Sequence, residues 1–284
     1  MSTPTVVDQR YGILICGNVI GANHVSKNTP CQDACLTSVQ YIKGQPYVLF
    51  TVADGHGSAR YVRSDIGAHF AVQSACSVVS DWLVSVEQIS RDNPGNWLSH
   101  LRHDFGPRFA HKLRQTWLDR VTEHLKEHPF KEDELALNST PINAYGTTIA
   151  LAVVFNGQVF VGAIGDSGVF AVLNNGEFFV LNDTEDNNLG LTTNSLSQSD
   201  APQQWKFKII ALDEVKMMCA VTDGFSDSLA DIQLTLNSIT DRVIGKGTEW
   251  LSENLPGFLT HLTQEGVGDD VASIFYLPNQ QAGD

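Results

Sequence analysis

Three short strings in the chain share one physical property: Asp54-Gly55-His56-Gly57, Thr222-Asp223-Gly224 and Gly268-Asp269-Asp270. Each places a carboxylate where an apolar, strand-like run ends or begins. Gly165-Asp166-Ser167 has the same form. A short carboxylate at a strand end is held more rigidly than one on a free loop. The glycines beside Asp54 let the backbone turn sharply and bring a carbonyl close to a cation. Taken alone, each Asp-Gly is also an ordinary turn signal. Asp269 and Asp270 are adjacent, and like charges so close repel unless a cation or hydrogen-bond donors offset them. Four such places together point to a site for hard divalent cations. All-oxygen ligands favour Mg²⁺ or Mn²⁺ over zinc. Asp227 precedes a helical stretch and reads as a helix cap rather than a ligand.

Other chemistries lack their motifs. The acids of Asp183-Thr184-Glu185-Asp186-Asn187-Asn188 resemble a calcium loop, but Asn188 stands at the position that needs glycine. His124 and His128 do not form H-E-x-x-H, because Glu127 is in the wrong place, and the pair reads as a solvated helix face. There is no Walker A loop, no G-x-G-x-x-G and no G-x-S-x-G elbow.

The elements that must position these acids follow from the apolar pattern. Residues 11–20, 47–53, 205–210, 217–222 and 271–277 read as strands. The run 47–53 (YVLFTVA) is apolar, aromatic and β-branched, hence a buried strand. Residues 61–86 and 96–128 carry apolar side chains at helical spacing, and Gly106-Pro107 should kink or divide the second stretch. Residues 147–155 and 158–165 flank Asn156-Gly157, a type I′ hairpin signal. Residues 169–173 and 177–181 flank Asn174-Asn175-Gly176 in the same way, so the pattern predicts a meander. Residues 182–204 are polar and aperiodic and read as a loop or flap. Residues 231–244 and 248–266 read as helices, with Pro256-Gly257 a weak point in the second. Strands joined by tight turns are antiparallel, and apolar helices must cover sheets from outside. The order therefore predicts an α+β fold: an α-β-β-α sandwich, residues 1–284 as a single domain.

Composition narrows the partners. The chain has 284 residues, 42% of them hydrophobic and 18% charged. Its formal charge of −14, from 32 acidic against 18 basic residues, opposes nucleic acid or anionic membrane as partner. The acid excess fits either bound cations or a solubilising surface. Five cysteines with no C-x-x-C pair oppose a disulfide framework or zinc ribbon and fit a reducing compartment. No basic-then-apolar leader is apparent in the first ten residues, and no apolar run approaches the ~20 residues of a membrane span. The expectation is a cytoplasmic protein.

The strings Val52-Ala53-Asp54-Gly55-His56-Gly57, Gly146-Thr147-Thr148, Gly165-Asp166-Ser167, Thr222-Asp223-Gly224 and Asp269-Asp270-Val271-Ala272-Ser273 together resemble, in order and spacing, the motif set of the metal-dependent protein phosphatase 2C family. Thr29-Pro30-Cys31-Gln32-Asp33 resembles its bacterial branch. The resemblance covers residues 12 to 277. It implies two packed antiparallel sheets flanked by helix pairs and a centre of two Mn²⁺ or Mg²⁺ ions. Asp54 would bridge the ions, the Gly55 carbonyl would bind one, and Asp223 and Asp269 would hold the other. Asp166 would bind a third, weaker ion. Gln32 stands where many members have a metal-linked Glu, and Asp33 would hold metal-bound water. The family's phosphate-gripping Arg is absent, since Asn28 occupies its place. Lys27 is the neighbouring cation and would be either a point-charge substitute or a solvated lysine.

The implied reaction is hydrolysis of phosphoserine and phosphothreonine in protein substrates, opposed by a Ser/Thr kinase. Two cations lower the pKa of a shared water, and the hydroxide attacks phosphorus in line with no covalent intermediate. His56 would protonate the leaving oxygen or, alternatively, bond a metal-held water. Two other readings stay open: a non-catalytic phosphatase-fold binding module, and a metal phosphohydrolase of nucleotides or other small phosphates.

Overall fold

The computed structural model describes residues 11–132, 134, 140–182 and 193–279. Two five-stranded antiparallel sheets form its centre. The first has the order β2-β3-β4-β5-β8, with β2 Ala34–Ile42, β3 Gln45–Ala53, β4 Ile149–Phe155, β5 Gln158–Ile164 and β8 Lys206–Ala211. The second has the order β1-β10-β9-β6-β7, with β1 Ile13–Val19, β6 Gly168–Leu173, β7 Phe178–Val180, β9 Val215–Val221 and β10 Val271–Leu277.

Period-two alternation divides each strand between two cores. In β3, Val48, Phe50 and Val52 face the interior of the sandwich with Leu14, Ala152, Val161, Met218 and Ile274. Tyr47, Leu49 and Ala53 face the helices α2 (Ser64–Asp92), α3 (Trp97–His103) and α4 (Phe109–Glu127). Both faces are covered, so the strand reads as one continuous apolar run. On the second sheet, Ile15, Phe170, Met217 and Phe275 pack against α6 (Ile232–Lys246) and α7 (Thr248–Glu265). This is the α-β-β-α sandwich the pattern predicts.

Local signals hold at several places. Asn156 and Gly157 take φ of 48° and 72° at the β4–β5 turn, the positive pair a type I′ turn requires. The long second helical stretch divides at Gly106, whose ψ of −131° breaks the helix before Pro107. The indole of Trp205 donates to the Phe105 carbonyl at 2.8 Å and supports that break. Pro256 does not interrupt α7.

Three expectations change. The two hairpins do not form one meander: β4 and β5 lie in the first sheet, β6 and β7 in the second. The chain crosses between sheets at residues 165–167, so Asp166 stands at the crossing. Strand β2 and the short helix α1 (Ala22–Lys27) replace what the pattern left unassigned between residues 20 and 47. The cap of α6 is Asp231, whose side chain accepts from the Leu234 amide at 2.9 Å, whereas Asp227 ends the one-turn helix α5 (Asp223–Ser226). Of the polar stretch 182–204, residues 183–192 lie outside the described residues, as do the calcium-loop-like acids at 183–188. Residues 193–204 run against the core, where the Leu196 amide donates to the Thr147 carbonyl at 2.9 Å. Among the described residues, no helix is long and apolar enough to cross a membrane.

Candidate metal centre

The strand registers bring the acid-bearing ends to one end of the sandwich. Ala34 pairs with Ala53, Val52 with Ala150 and Ile149 with Ile164 in the first sheet. Val19 pairs with Val271, Ser273 with Val221, and Gly168 with Val221 in the second. Asp33 therefore precedes β2, Asp54 follows β3, Asp166 follows β5, Asp223 follows β9, and Asp269 and Asp270 precede β10, all at the same end.

Carboxylate oxygens of Asp54, Asp166 and Asp223 lie within 4.8 Å of one another. A second group at the same spacing joins His24, Asp269 and Asp270. His24, on α1, sets Nδ1 2.7 Å from Asp270 Oδ2 and Nε2 3.7 Å from Asp269 Oδ1. Asp270 is buried and also accepts from the amides of Gly21 and Gln32, both at 2.6 Å. Asp269 is half exposed. Asp33 connects the groups: it is buried, accepts from the Thr222 hydroxyl at 2.6 Å, and feels the charges of Asp270, Asp223 and Asp269.

The backbone is built for this convergence. The Asp54 amide donates to Thr148 Oγ1 at 3.0 Å, and its carbonyl accepts from Thr147 Oγ1 and the Thr148 amide, both at 2.8 Å. Thr148 Oγ1 also lies 2.8 Å from Ser167 Oγ, next to Asp166. A Cβ on Gly55 would stand 2.7 Å from the carbonyl oxygens of Gln32 and Ser64, so no other residue fits that turn. Asp166 accepts from Thr193 Oγ1 at 2.6 Å.

Electrostatics mark the cluster. Burial, followed by the charges of Asp33 and Asp223, pushes the Asp54 carboxyl well above the usual carboxylate range. Burial raises Asp33 and Asp223 too. Asp54 and Asp223 have carboxylate oxygens within 4.8 Å of each other, so the protonation of one affects that of the other. Without a cation these carboxylates raise one another's proton affinity. A hard divalent cation removes that conflict and takes oxygen donors of this kind, so the donor set fits one. Burial lowers the pKa of His56, with Asp166 and Arg60 acting in opposite directions. Its buried Nε2 has no hydrogen-bond partner among the described residues.

The remaining expected residues fall as follows. Gln32 turns its amide to Ser64 Oγ at 2.6 Å. Lys27 is exposed at the end of α1. Asp227 stands near enough to Asp166 and Asp269 for their charges to raise its carboxyl, after burial. His24 escaped the sequence reading, since it carries no motif signal of its own, and Thr222 is legible there only as part of the Thr222-Asp223-Gly224 string, with no role of its own. The His124 pair is not a simple solvated face: His124 Nδ1 meets the Tyr145 hydroxyl at 2.7 Å, because α4 packs on the segment leading into β4.

A family model described as protein phosphatase 2C matches residues 20–260. The curated serine/threonine-protein phosphatase 3 of Escherichia coli (strain K12) is 35% identical over 68 residues, 24% of this chain and 26% of that protein. The match thus spans about a quarter of that relative's length. A serine-threonine phosphatase 2C from Toxoplasma gondii superposes with TM-score 0.62 at 13% identity, covering 98% of both chains. A bacterial serine phosphatase gives 0.59 at 15% identity, covering 95% of this chain and 98% of that one. Stp1 from Staphylococcus aureus gives 0.58 at 15% identity over 98% and 97%. At such identities these structures speak for the fold. With the family model spanning most of the length, the chain belongs to the protein phosphatase 2C family.

Proposed function

We propose that this chain is a metal-dependent phosphoserine/phosphothreonine protein phosphatase, with residues 1–284 acting as one catalytic domain. The observation that carries the reading is the convergence of Asp54, Asp166 and Asp223 within 4.8 Å at one end of a phosphatase-2C fold. Asp54, the Gly55 carbonyl, Asp223, Asp269 and Asp166 would hold Mn²⁺ or Mg²⁺. When bound, such cations neutralise phosphoryl charge and make solvent acidic enough to supply the nucleophile.

The chain's own residues do the rest. Thr147, Thr148 and Ser167 fix the backbone and side chains that present Asp54. Thr222 orients Asp33, a carboxylate placed to accept a proton from solvent. Burial lowers the pKa of His56 and so favours its neutral form. An arriving phosphate dianion favours its charged form. Protonated His56 then delivers its proton to the departing seryl or threonyl oxygen.

The natural partners are phosphorylated proteins and the kinase that modifies them. A binding module would have little reason to crowd the mutually repelling carboxylates of Asp54, Asp166 and Asp223 within 4.8 Å of one another. The test is hydrolysis of a phosphoserine peptide with Mn²⁺, with chelator, and by Asp223→Asn. Turnover that survives chelator and substitution alike would remove the proposal. Turnover of nucleotides in preference to phosphopeptides would move it to the small-phosphate class.

A further inference from the structure

The site is crowded with carboxylates, and an anionic substrate needs a cation that those carboxylates do not already neutralise. Asn28 stands where the family places an arginine, and Lys27 beside it is exposed. The loop between β3 and α2 offers another cation. That loop is tied down along its length. The Gly55 amide donates to the Gln32 carbonyl at 3.1 Å, and the His56 amide to the Gly146 carbonyl at 3.1 Å. The Tyr61 amide donates to the Ser58 carbonyl at 2.8 Å, and the Ser64 amide to the Tyr61 carbonyl at 3.1 Å. Arg63, at the loop's end, is buried and bonded to Tyr145 and Glu134.

On this fixed loop, the Tyr61 ring has two neighbours. The His56 imidazole lies with its centroid 4.7 Å away, and the Arg60 guanidinium carbon stands 4.7 Å from the Tyr61 ring centroid. Aromatic support of this kind positions a guanidinium without consuming its hydrogen-bond donors. Among the described residues, Arg60 makes no hydrogen bond and no ion pair. The charges of Arg60 and Asp166 both act on His56, in opposite directions, so Arg60 lies within electrostatic reach of the imidazole that follows Asp54 and Gly55 in the chain.

We propose that Arg60, held over the Tyr61 ring that also meets His56, grips the phosphoryl oxygens of the phosphopeptide substrate. The planar fork can bond two oxygens at once, which a lysine cannot do. This inference rests on the phosphatase reading of the same site. It moves the anion-binding role from the β1–β2 connection to the loop that also carries Asp54 and His56. The metal ligands and the phosphate grip then ride on one segment.

The test compares wild type, Arg60→Ala and Arg60→Lys by two measurements in Mg²⁺ buffer. One is steady-state hydrolysis of a phosphoserine peptide. The other is calorimetric binding of inorganic phosphate. Losing a charge-assisted bidentate contact should raise KM and the phosphate Kd of Arg60→Ala roughly tenfold or more. The change in kcat should be smaller, and Arg60→Lys should fall between the two. Equal phosphate affinity and equal KM in wild type and Arg60→Ala would overturn the proposal, even if the wild type is an active phosphatase. Weakened phosphate binding in Arg60→Ala, with no peptide turnover by any form, would support the anion site and reject the phosphatase reading instead.

Discussion

The hydroxyl of Thr222 donates to Asp33 Oδ2 at 2.6 Å and joins two residues 189 positions apart. Thr222 follows β9 of one sheet and Asp33 precedes β2 of the other, so the bond pins the sheets together where the carboxylates meet. The same hydroxyl oxygen accepts from the Ala272 amide at 2.9 Å. Asp33 is buried, and this bond is the main force opposing the rise of its carboxyl pKa.

Thr222→Val keeps the shape and removes both hydrogen-bond roles. Leaving a buried carboxylate and an amide unpaired costs about 1–3 kcal/mol. The variant should melt lower with chelator present and bind Mn²⁺ more weakly, and Thr222→Ser should restore most of both. Thermal melts with and without Mn²⁺ read the two effects. A valine variant with wild-type Mn²⁺ affinity would separate Thr222 from the site.

The raised carboxyls of Asp33, Asp54 and Asp223 set a pH dependence for the metal-free protein. A carboxyl whose folded pKa exceeds its unfolded value lets the folded state bind more protons. Its stabilisation is full below the unfolded value, near ~4, and is lost as pH rises through the folded value. With chelator, the protein should therefore melt higher at pH 5 than at pH 7.5. Mg²⁺ should shrink the difference, because the cation takes the place of the protons. Melting that rises with pH in chelator would contradict the proposed cluster electrostatics.

Asp54→Asn separates function from stability. The amide removes one charge from a group that repels Asp223 and Asp33. At pH 7.5 in chelator the variant should be more stable than wild type, by on the order of 1 kcal/mol. Its pH slope should also be shallower. The melting shift that Mn²⁺ gives the wild type should vanish, along with phosphopeptide turnover. A variant that keeps the Mn²⁺ shift would show that Asp54 is not a ligand.

Legibility in the sequence tracked the strength of the local physical signal. Strand β10 was readable to its ends because Val271–Leu277 is apolar and aromatic apart from Ser273 and is bounded by Asp270 and Pro278. Gly106-Pro107 marked its break for the reason that proline lacks the amide a helix needs. Strand β2 was hidden because Thr37, Ser38 and Gln40 dilute an edge strand that is mostly half-buried. Helix α1 has no buried residue at all, so it carries no apolar stripe to read. In the site, Asp54, Asp166 and Asp223 were visible as strand-end motifs. His24 was not, since only the pairing of β1 with β10 brings its helix against Asp270. Asp227 was misjudged because two acids precede α6, and only geometry shows that Asp231 caps it.

Arg63 gives the last prediction, because it fixes the loop on which Asp54, His56 and Arg60 stand. Its guanidinium bonds Tyr145 at 2.8 Å, the His128 carbonyl at 2.6 Å and both Glu134 oxygens at 3.0 and 3.1 Å. The Phe130 ring lies 4.1 Å from its central carbon. A longer fifth contact runs to the Pro129 carbonyl at 3.4 Å, so every donor direction of the planar fork is used and lysine cannot replace it. Arg63→Met takes the guanidinium away from Glu134 and Tyr145 and should cost roughly 3 kcal/mol in chemical denaturation. Arg63→Lys should recover little of that. In Arg63→Met made together with Glu134→Gln, the added loss should be well below that of Glu134→Gln alone, since one interaction is removed twice. Fully additive losses would mean that Arg63 steadies the loop through Tyr145 and the His128 carbonyl rather than through Glu134. In either case a loosened loop should lower kcat on phosphopeptide at temperatures where the variant is still folded, because His56 and Asp54 are separated by a single residue of it.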